Sequence, residues 1–327
     1  MYNSGVEEKG GNTMPELITI GETMAVMSPK EQGPLRYVGD YKLRMAGAES
    51  NVAVGLCKLG HTAGWISRVG EDEMGAYVLN AVRAEGVDCS HVIVDEDHRT
   101  GLMLKEMGNG ETKVYYYREN SAASHLCQKD LDKRYLSKAK IIHLTGITPV
   151  LSKSCEGAVV AMAAYAKQKG ILLSFDPNIR KKLWKDRDYS GLMQTLLFMS
   201  DIALLGKDEA EQILGISDPE AIVNQLRDEG VRYIGLKDGG NGAWVADHES
   251  MEFVAPYPCR TIDPIGAGDA FNAAFLAGIL EGRSLSESGR MAAIAGALAT
   301  ETPGDIEGYP SMKQLQRKLD MGTEIYR

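Results

Sequence analysis

Short apolar runs of strand length alternate with amphipathic stretches of helical spacing along most of the chain, and that rhythm leaves few folds open. ELITIGE (16–22) reads as a buried strand ending at a glycine. SNVAVGLCKLG (50–60) follows with Val52, Leu56 and Leu59 at helical spacing, Ser50 in a capping position and Gly60 as the stop. TAGWISRVG (62–70) returns as a strand, and MGAYVLNAVRAEG (74–86) is again amphipathic. The unit recurs in KIIHLTG (140–146), SCEGAVVAMAAYAKQKG (154–170) and ILLSFD (171–176). IALLG (202–206) and RYIGLKDG (232–239) add strands, and FNAAFLAGIL and MAAIAGALAT add late helices. Strands alternating with helices of this length predict an α/β fold with a mostly parallel sheet covered on both faces.

Two regions break the rhythm. LRYVGDYKLRMAG (35–47) and TGLMLKEMGNGETKVYYYREN (100–120) read as antiparallel strands, the second folded about a GNG turn at 108–110. Such strands inserted into an α/β domain predict a lid, which excludes water from a site. No Pro/Ser-rich linker sets them apart, so residues 15–327 read as one domain with lid strands from about 35–47 and 100–120, after a disordered tail over 1–14.

Composition narrows the function. With 44% hydrophobic and 25% charged residues in 327, the chain is ordinary globular material. Its longest apolar stretches, 271–280 and 291–299, fall well short of the roughly 18–20 residues a membrane span needs. The polar N-terminus shows no apolar core of a secretory signal. Five cysteines stand singly, without CxxC pairs or Cys/His clusters, which points to reduced thiols in a cytoplasm and away from structural zinc. A net charge of −9 argues against bulk nucleic-acid binding, so an anionic small substrate needs locally placed cations.

The stretch DPIGAGDAFNAAF (263–275) concentrates the chemistry. A strand-to-helix turn built from Gly266, Ala267 and Gly268 leaves the first helical amides bare, and the helix dipole adds partial positive charge there. By itself a glycine pair also serves simply to turn the chain, with Asp269 complementing the dipole. Yet a carboxylate beside an anion-binding turn repels the anion unless it has separate work, and a general base for a hydroxyl nucleophile is such work. Lys237-Asp-Gly-Gly-Asn-Gly242 follows a strand upstream and suits either a phosphate cradle or a hairpin turn. No GxxxxGK[ST] loop is present, which disfavours a Walker-type NTPase.

Taken together these segments resemble a family. MAGAESNVAVGLCKLG (45–60), followed by RVGEDEMGAYVLNAVRAEGVD (68–88), is similar to the N-terminal signature of the ribokinase-like carbohydrate kinases, the PfkB family, and DPIGAGDAFNAAFLAGIL (263–280) to their C-terminal signature. The resemblance spans about Leu17 to Gly304. It implies a ribokinase-like, Rossmann-type three-layer sandwich with a small β-sheet lid, and transfer of the γ-phosphoryl of ATP to a sugar hydroxyl. Asp269 then matches the base, and the amides of Gly266, Ala267 and Gly268 match the anion hole. Lys237, Gly239 and Gly242 match the nucleotide loop, and Glu209 the glutamate of an NxxE motif that organises Mg2+ through water. Gly206 stands where the family usually has asparagine, a departure within that magnesium network. Asp263 and the carbonyls near Gly304 match a monovalent-cation site of many relatives, with K+ the expected ion.

Within the family, VYYYRENSAASHL (114–126) and DPNIRKKLW (176–184) resemble 2-keto-3-deoxygluconate kinases. The resemblance implies that Tyr116, Tyr117 and Arg118 touch the substrate and that Arg180 faces its carboxylate. A guanidinium in bidentate geometry suits a sugar acid, whereas a neutral hexose calls for hydroxyl-matching acids and amides. Gly47, Ala48 and Asn51 match the loop and helix start that approach the sugar; Asn51 also suits the first turn of its own helix. Glu22 does not discriminate ketodeoxygluconate kinases from fructokinases. His143 reads as a packed core histidine, and Met24, Met27 and Met45 as lid or core filler. Three readings stand: a 2-keto-3-deoxygluconate kinase, a fructokinase or other PfkB sugar kinase, and a nucleotide-binding regulator without turnover. A lid sheet is also a natural surface for pairing into a homo-oligomer.

Overall fold

The computed structural model describes residues 14–108 and 111–324. Thirteen strands run in chain order as β1 (Leu17–Ile20), β2 (Met24–Pro29), β3 (Tyr41–Ala46), β4 (Ala63–Gly70), β5 (Val92–Asp95), β6 (Leu102–Gly108), β7 (Glu111–Tyr117), β8 (Ile141–Thr145), β9 (Leu172–Asp176), β10 (Ile202–Gly206), β11 (Tyr233–Lys237), β12 (Ala243–Ala246) and β13 (Met251–Val254). The helices are α1 (Ala48–Lys58), α2 (Glu73–Ala84), α3 (Lys133–Leu136), α4 (Lys153–Lys169), α5 (Lys181–Trp184), α6 (Ser190–Met199), α7 (Lys207–Leu214), α8 (Pro219–Asp228), α9 (Ala267–Leu280), α10 (Leu285–Ala299) and α11 (Met312–Glu324).

Nine strands form the main sheet in the order β13-β12-β11-β10-β9-β8-β1-β4-β5. From β11 to β5 every pairing is parallel, and β12 and β13 close one edge as an antiparallel hairpin. Strand parity divides the core: Leu17 packs with α1, α2, α9, α10 and α11 on one face, while Ile18 and Ile20 pack with α4, α6, α7 and α8 on the other. The result is the three-layer arrangement implied by the alternation. Trp65, Phe175 and Phe275 are wholly buried, each contributing roughly 1.5–3 kcal/mol or more from apolar burial alone. No helix among the described residues is long and apolar enough to cross a membrane.

The lid is a separate sheet in the order β3-β2-β6-β7. Two expectations about it are corrected. Leu35–Tyr37 is a 3-10 turn and not strand; the strand starts at Tyr41 and pairs with Met24–Pro29, which the sequence reading had not identified as a strand. Met24 packs as core filler, as expected: with Val26, Ala46 and Met103 it forms a small core beneath the lid. The GNG turn falls partly on residues 109–110 and the tail on 1–13, both outside the described residues. The α1 boundary also differs: Gly47 is the N-cap and Ser50 lies inside the helix, its hydroxyl donating back to the Gly47 carbonyl at 3.0 Å. The β12–β13 hairpin was likewise not foreseen, since four-residue strands carry too little periodicity to register.

Helices α1 and α9 cross closely, which brings the first turn of one against that of the other. Gly55 permits the approach: a Cβ there would lie 2.5 Å from the Ala273 Cβ. Gly55→Val should therefore wedge the two helices apart, lowering stability by about 1–3 kcal/mol in denaturant titration and lowering activity with it. Unchanged stability would show that the helix pair tolerates a wider spacing.

Candidate active site

The carboxyl ends of the parallel strands share one rim, the place where open α/β sheets bind ligands. The turn Pro264–Gly266 and the start of α9 cross this rim and separate two clefts. Gly266 and Asp269 line the cleft under the lid, with a volume of about 290 Å3; Ala267 and Gly268 line the other, of about 400 Å3, together with Lys237, Gly239 and Gly242. Gly266 adopts φ 82°, and a Cβ there would lie 2.1 Å from the Asp305 carbonyl oxygen, so no other residue fits. The Tyr309 hydroxyl donates to the Gly266 carbonyl at 2.9 Å and holds the turn. Ala267 spends its N–H on a long 3.4 Å bond to the Pro264 carbonyl, while the Gly268 amide sits in the first helical turn without an i−4 acceptor.

Asp269 is pushed up to about 7, chiefly by burial of its carboxyl, with the nearby charges of Asp176 and Asp305 adding to the effect. Against these, the Asn51 side-chain amide donates to Asp269 Oδ2 at 2.8 Å and reaches Asp305 Oδ2 at 3.4 Å. Two carboxylates facing one amide nitrogen settle the orientation of that amide, since carboxylates accept. Asn51 Oδ1 is thereby left buried without a partner. Its helix begins at Gly47, where a Cβ would lie 2.5 Å from the Glu22 carbonyl oxygen, so the chain at the lid's base passes in close contact. Ala48 lines the same cleft.

At the other cleft, Lys237 does not point freely into the open space. Its ammonium lies 2.8 Å from Asp176 Oδ2 and 3.1 Å from Asn272 Oδ1, beneath the anion turn. Burial works against ionising Asp176, yet Lys237 and the 2.6 Å bond from Asn272 hold its carboxyl below the ordinary range. Glu209 is pushed the other way by burial and by the charge of Asp176. Its two oxygens accept the backbone N–H of Gly206 at 2.7 Å and of Ile179 at 2.7 Å. Gly206 is thus the N-cap of α7, and Glu209 folds back onto it. Among the described residues no group of three or more metal-ligating side chains is assembled. The acid pair Asp176 and Glu209, only partly compensated by Lys237, fits a hydrated Mg2+ carried on nucleotide phosphates and not a bare ion held by the protein. His143 is buried, shares a 3.0 Å hydrogen bond with Ser174 and is lowered by burial to about 4, a neutral core histidine as its position suggested.

On the lid side, Arg118 is tied to Glu22: its Nε donates to Oε2 at 2.7 Å and a second nitrogen meets the same carboxylate. Ser121 donates to the other oxygen of Glu22 at 2.5 Å. The pair is nearly buried, so the guanidinium is aimed and not free. Arg180 is exposed, its side chain bonded to the carbonyl of its neighbour Ile179, and it lines the same cleft. The turn delivering it is pinned by Asp176, which accepts the Asn178 N–H at 3.0 Å, and by Glu209 through Ile179. Tyr116 lines the cleft with Arg118 and Val114, but Tyr117 does not: strand pleating sends alternate side chains to opposite faces, and Tyr117 is 63% exposed.

Asp263 has company the sequence did not reveal. Lys105, on the inner face of β6, places its ammonium 3.1 Å from Asp305 Oδ1 and 3.7 Å from Asp263 Oδ2. A potassium ion against Asp263 would face that ammonium at close range, a repulsion of about 4 kcal/mol at 4 Å in the dielectric of a protein surface. The residues present therefore do not fit a monovalent metal ion. Lys105, Asp305, Asp176 and Asn272 were all missed as site residues. Asp176 and Asn272 stand inside the DPNIRKKLW and DPIGAGDAFNAAF motifs, and Lys105 left a trace as a charge sharing the parity of buried Met103.

The elevated Asp269 predicts a linkage with a definite sign. Its folded value of about 7 exceeds its ordinary 3.8, so the chain is most favoured with this group protonated, and that stability is lost as pH rises through the interval between them. Asp269→Asn escapes the penalty. Its melting temperature should exceed wild type by a margin that grows from pH 4 to about 7 and then levels; a constant margin would show that burial does not perturb the group.

The profile for pfkB family carbohydrate kinases matches residues 14–312. The chain is 36% identical over 316 residues to a 2-dehydro-3-deoxygluconokinase of Bacillus subtilis (strain 168), covering 95% of this chain and 98% of that one. It is 33% identical over 311 residues to a 2-dehydro-3-deoxygluconokinase of Thermoproteus tenax, covering 94% of each. An E. coli protein assigned as a ribokinase II and solved in complex with ATP and Mg2+ superposes with a TM-score of 0.88 at 26% identity, over 94% of this chain and 100% of that one. With the two signatures, the rim of strand ends and the lid all in place, the chain belongs to the pfkB family of carbohydrate kinases.

Proposed function

We propose that this kinase transfers the γ-phosphoryl group of ATP to the terminal hydroxyl of 2-keto-3-deoxygluconate, giving 2-keto-3-deoxy-6-phosphogluconate. The observation that supports it most is the placing of Arg118 and Arg180 on the walls of the cleft that holds Asp269. Two guanidiniums and the base line one cleft, a setting in which a sugar carboxylate can meet a cation while Asp269 takes the proton of the terminal hydroxyl. The two 2-dehydro-3-deoxygluconokinases above act, by name, on the same compound.

In this reading the triphosphate lies in the cleft lined by Lys237, Gly239 and Gly242, with its terminal phosphoryl at the Gly266–Gly268 turn. Asp269, ionised, accepts the hydroxyl proton as the oxygen attacks in line, and Asn51 keeps the carboxylate aimed. The Gly268 amide and the positive end of α9 stabilise charge on the transferring group. Mg2+ on the triphosphate would supply charge neutralisation, and Glu209 would be the residue of this chain to hold it through water. Arg180 and Tyr116 position the sugar acid, and the lid excludes water. A cytoplasmic setting belongs to the same reading, supported by five thiols of which none is paired. So does a homo-oligomer paired through the lid, whose strand β7 exposes Tyr115 and Tyr117.

One observation favours a second reading. Glu22 neutralises Arg118, leaving Arg180 as the less encumbered cation, which suits a neutral ketose as in a fructokinase. The two readings separate on substrates. Arg180→Ala should raise KM for 2-keto-3-deoxygluconate about tenfold to a hundredfold, the worth of a charge-assisted bond, with little effect on fructose. Equal losses on both, or faster wild-type turnover of fructose, favour the fructokinase. Asp269→Asn should still bind ATP and lose about a hundredfold or more of kcat. In wild type, kcat/KM should fall about tenfold per pH unit below about 7, where the base becomes protonated. A flat profile down to pH 5 would remove Asp269 from the role.

A further inference from the structure

We infer that the ammonium of Lys105 occupies the cation position between Asp263 and Asp305, so that this kinase works without a bound potassium ion. Lys105 is 2% exposed, and its charge is placed by β6 against Asp305 Oδ1 at 3.1 Å and Asp263 Oδ2 at 3.7 Å. The other donors complete both carboxylates. Asp263 accepts the N–H of Ile265 at 3.2 Å and of Gly304 at 3.3 Å, and Asp305 accepts from Asn51 at 3.4 Å. Each of the four carboxylate oxygens thus faces an N–H donor, and the Lys105 ammonium is the cation that Asp263 Oδ2 and Asp305 Oδ1 share. A primary ammonium carries the same single charge as K+ and meets oxygen at similar range, with three directed protons in place of a coordination shell.

The position matters because it braces the turn that separates the clefts. Residues 304–309 press against the turn: the Asp305 carbonyl closes on Gly266, and Tyr309 holds the Gly266 carbonyl at 2.9 Å. A cation shared by Asp263 and Asp305 joins both sides of that contact. Here it is delivered by a lid strand, and a second lid residue, Arg44, pairs with Glu307 of the same loop. The charge that braces the turn is therefore fastened to the element that covers the sugar, and Lys105 is a positioning residue that acts through Asp305 and Asp263.

The turnover arm of the test rests on the kinase reading; the melting arm does not. ADP release and thermal unfolding of the full chain are compared in potassium and in tetramethylammonium chloride at equal ionic strength. Wild type should show the same melting temperature and turnover within about twofold in both salts. A melting temperature raised by K+, or turnover about tenfold higher in it, would overturn the inference. Lys105→Met should lose turnover and melt lower in tetramethylammonium, and K+ or NH4+ should restore part of both by entering the vacated position. A Lys105→Met protein that keeps wild-type turnover and melting in tetramethylammonium also overturns it. If that variant does not fold, the wild-type pair of salts decides alone. Absence of ADP release on every sugar would end the kinase reading while the melting comparison still answers the cation question.

Discussion

Carboxylates sunk at one rim of a parallel sheet are costly unless each meets a cation or a set of amides, and the site is organised by how that cost is met. Glu22 is answered by Arg118, Asp176 by Lys237 and Asn272, Asp305 by Lys105, and Glu209 by two backbone amides. Asp269 has a single neutral amide for its partner, and burial first, then the nearby charges of Asp176 and Asp305, pushes its carboxyl to about 7. The group left under-compensated is the one whose proton affinity then lies in the useful range for accepting a hydroxyl proton.

The same pairings couple parts of the chain that are distant in sequence. Lys105 lies within β6 and Arg118 directly after β7, and through them the lid is fastened to Asp305 and to Glu22 beside β1. Glu209 reaches across to the turn that presents Arg180, so this acid also shapes the wall of the cleft under the lid. Gly55, by letting α1 approach α9, sets the distance between Asn51 and Asp269. Movement of any of these elements would reach the base through at most a few contacts.

Much of this was legible beforehand for a definite reason. Strand and helix periodicities are local, so the three-layer α/β core and the positions of its long elements could be read directly. The turn before α9 was legible through its resemblance to a family signature, because small residues followed by an acid also serve simply to turn the chain. The lid was read less well. Met24–Pro29 lacks the alternation of a half-exposed strand, as its buried face packs against a small methionine core. Tyr117 and Arg118 sit side by side in sequence, but the pleat divides them between opposite faces.

The sequence by itself determined the order of elements, the bare amides at the start of α9 and the residue types needed for phosphoryl transfer to a hydroxyl. These follow from neighbours a few positions apart. Only the tertiary structure decided which charges meet. Lys105 stands 158 and 200 positions from the acids it bridges, and no local pattern marks a lysine on a lid strand as the partner of Asp263 and Asp305. Electrostatic compensation depends on distance through space and on burial, both of which come into being when the lid folds over the rim.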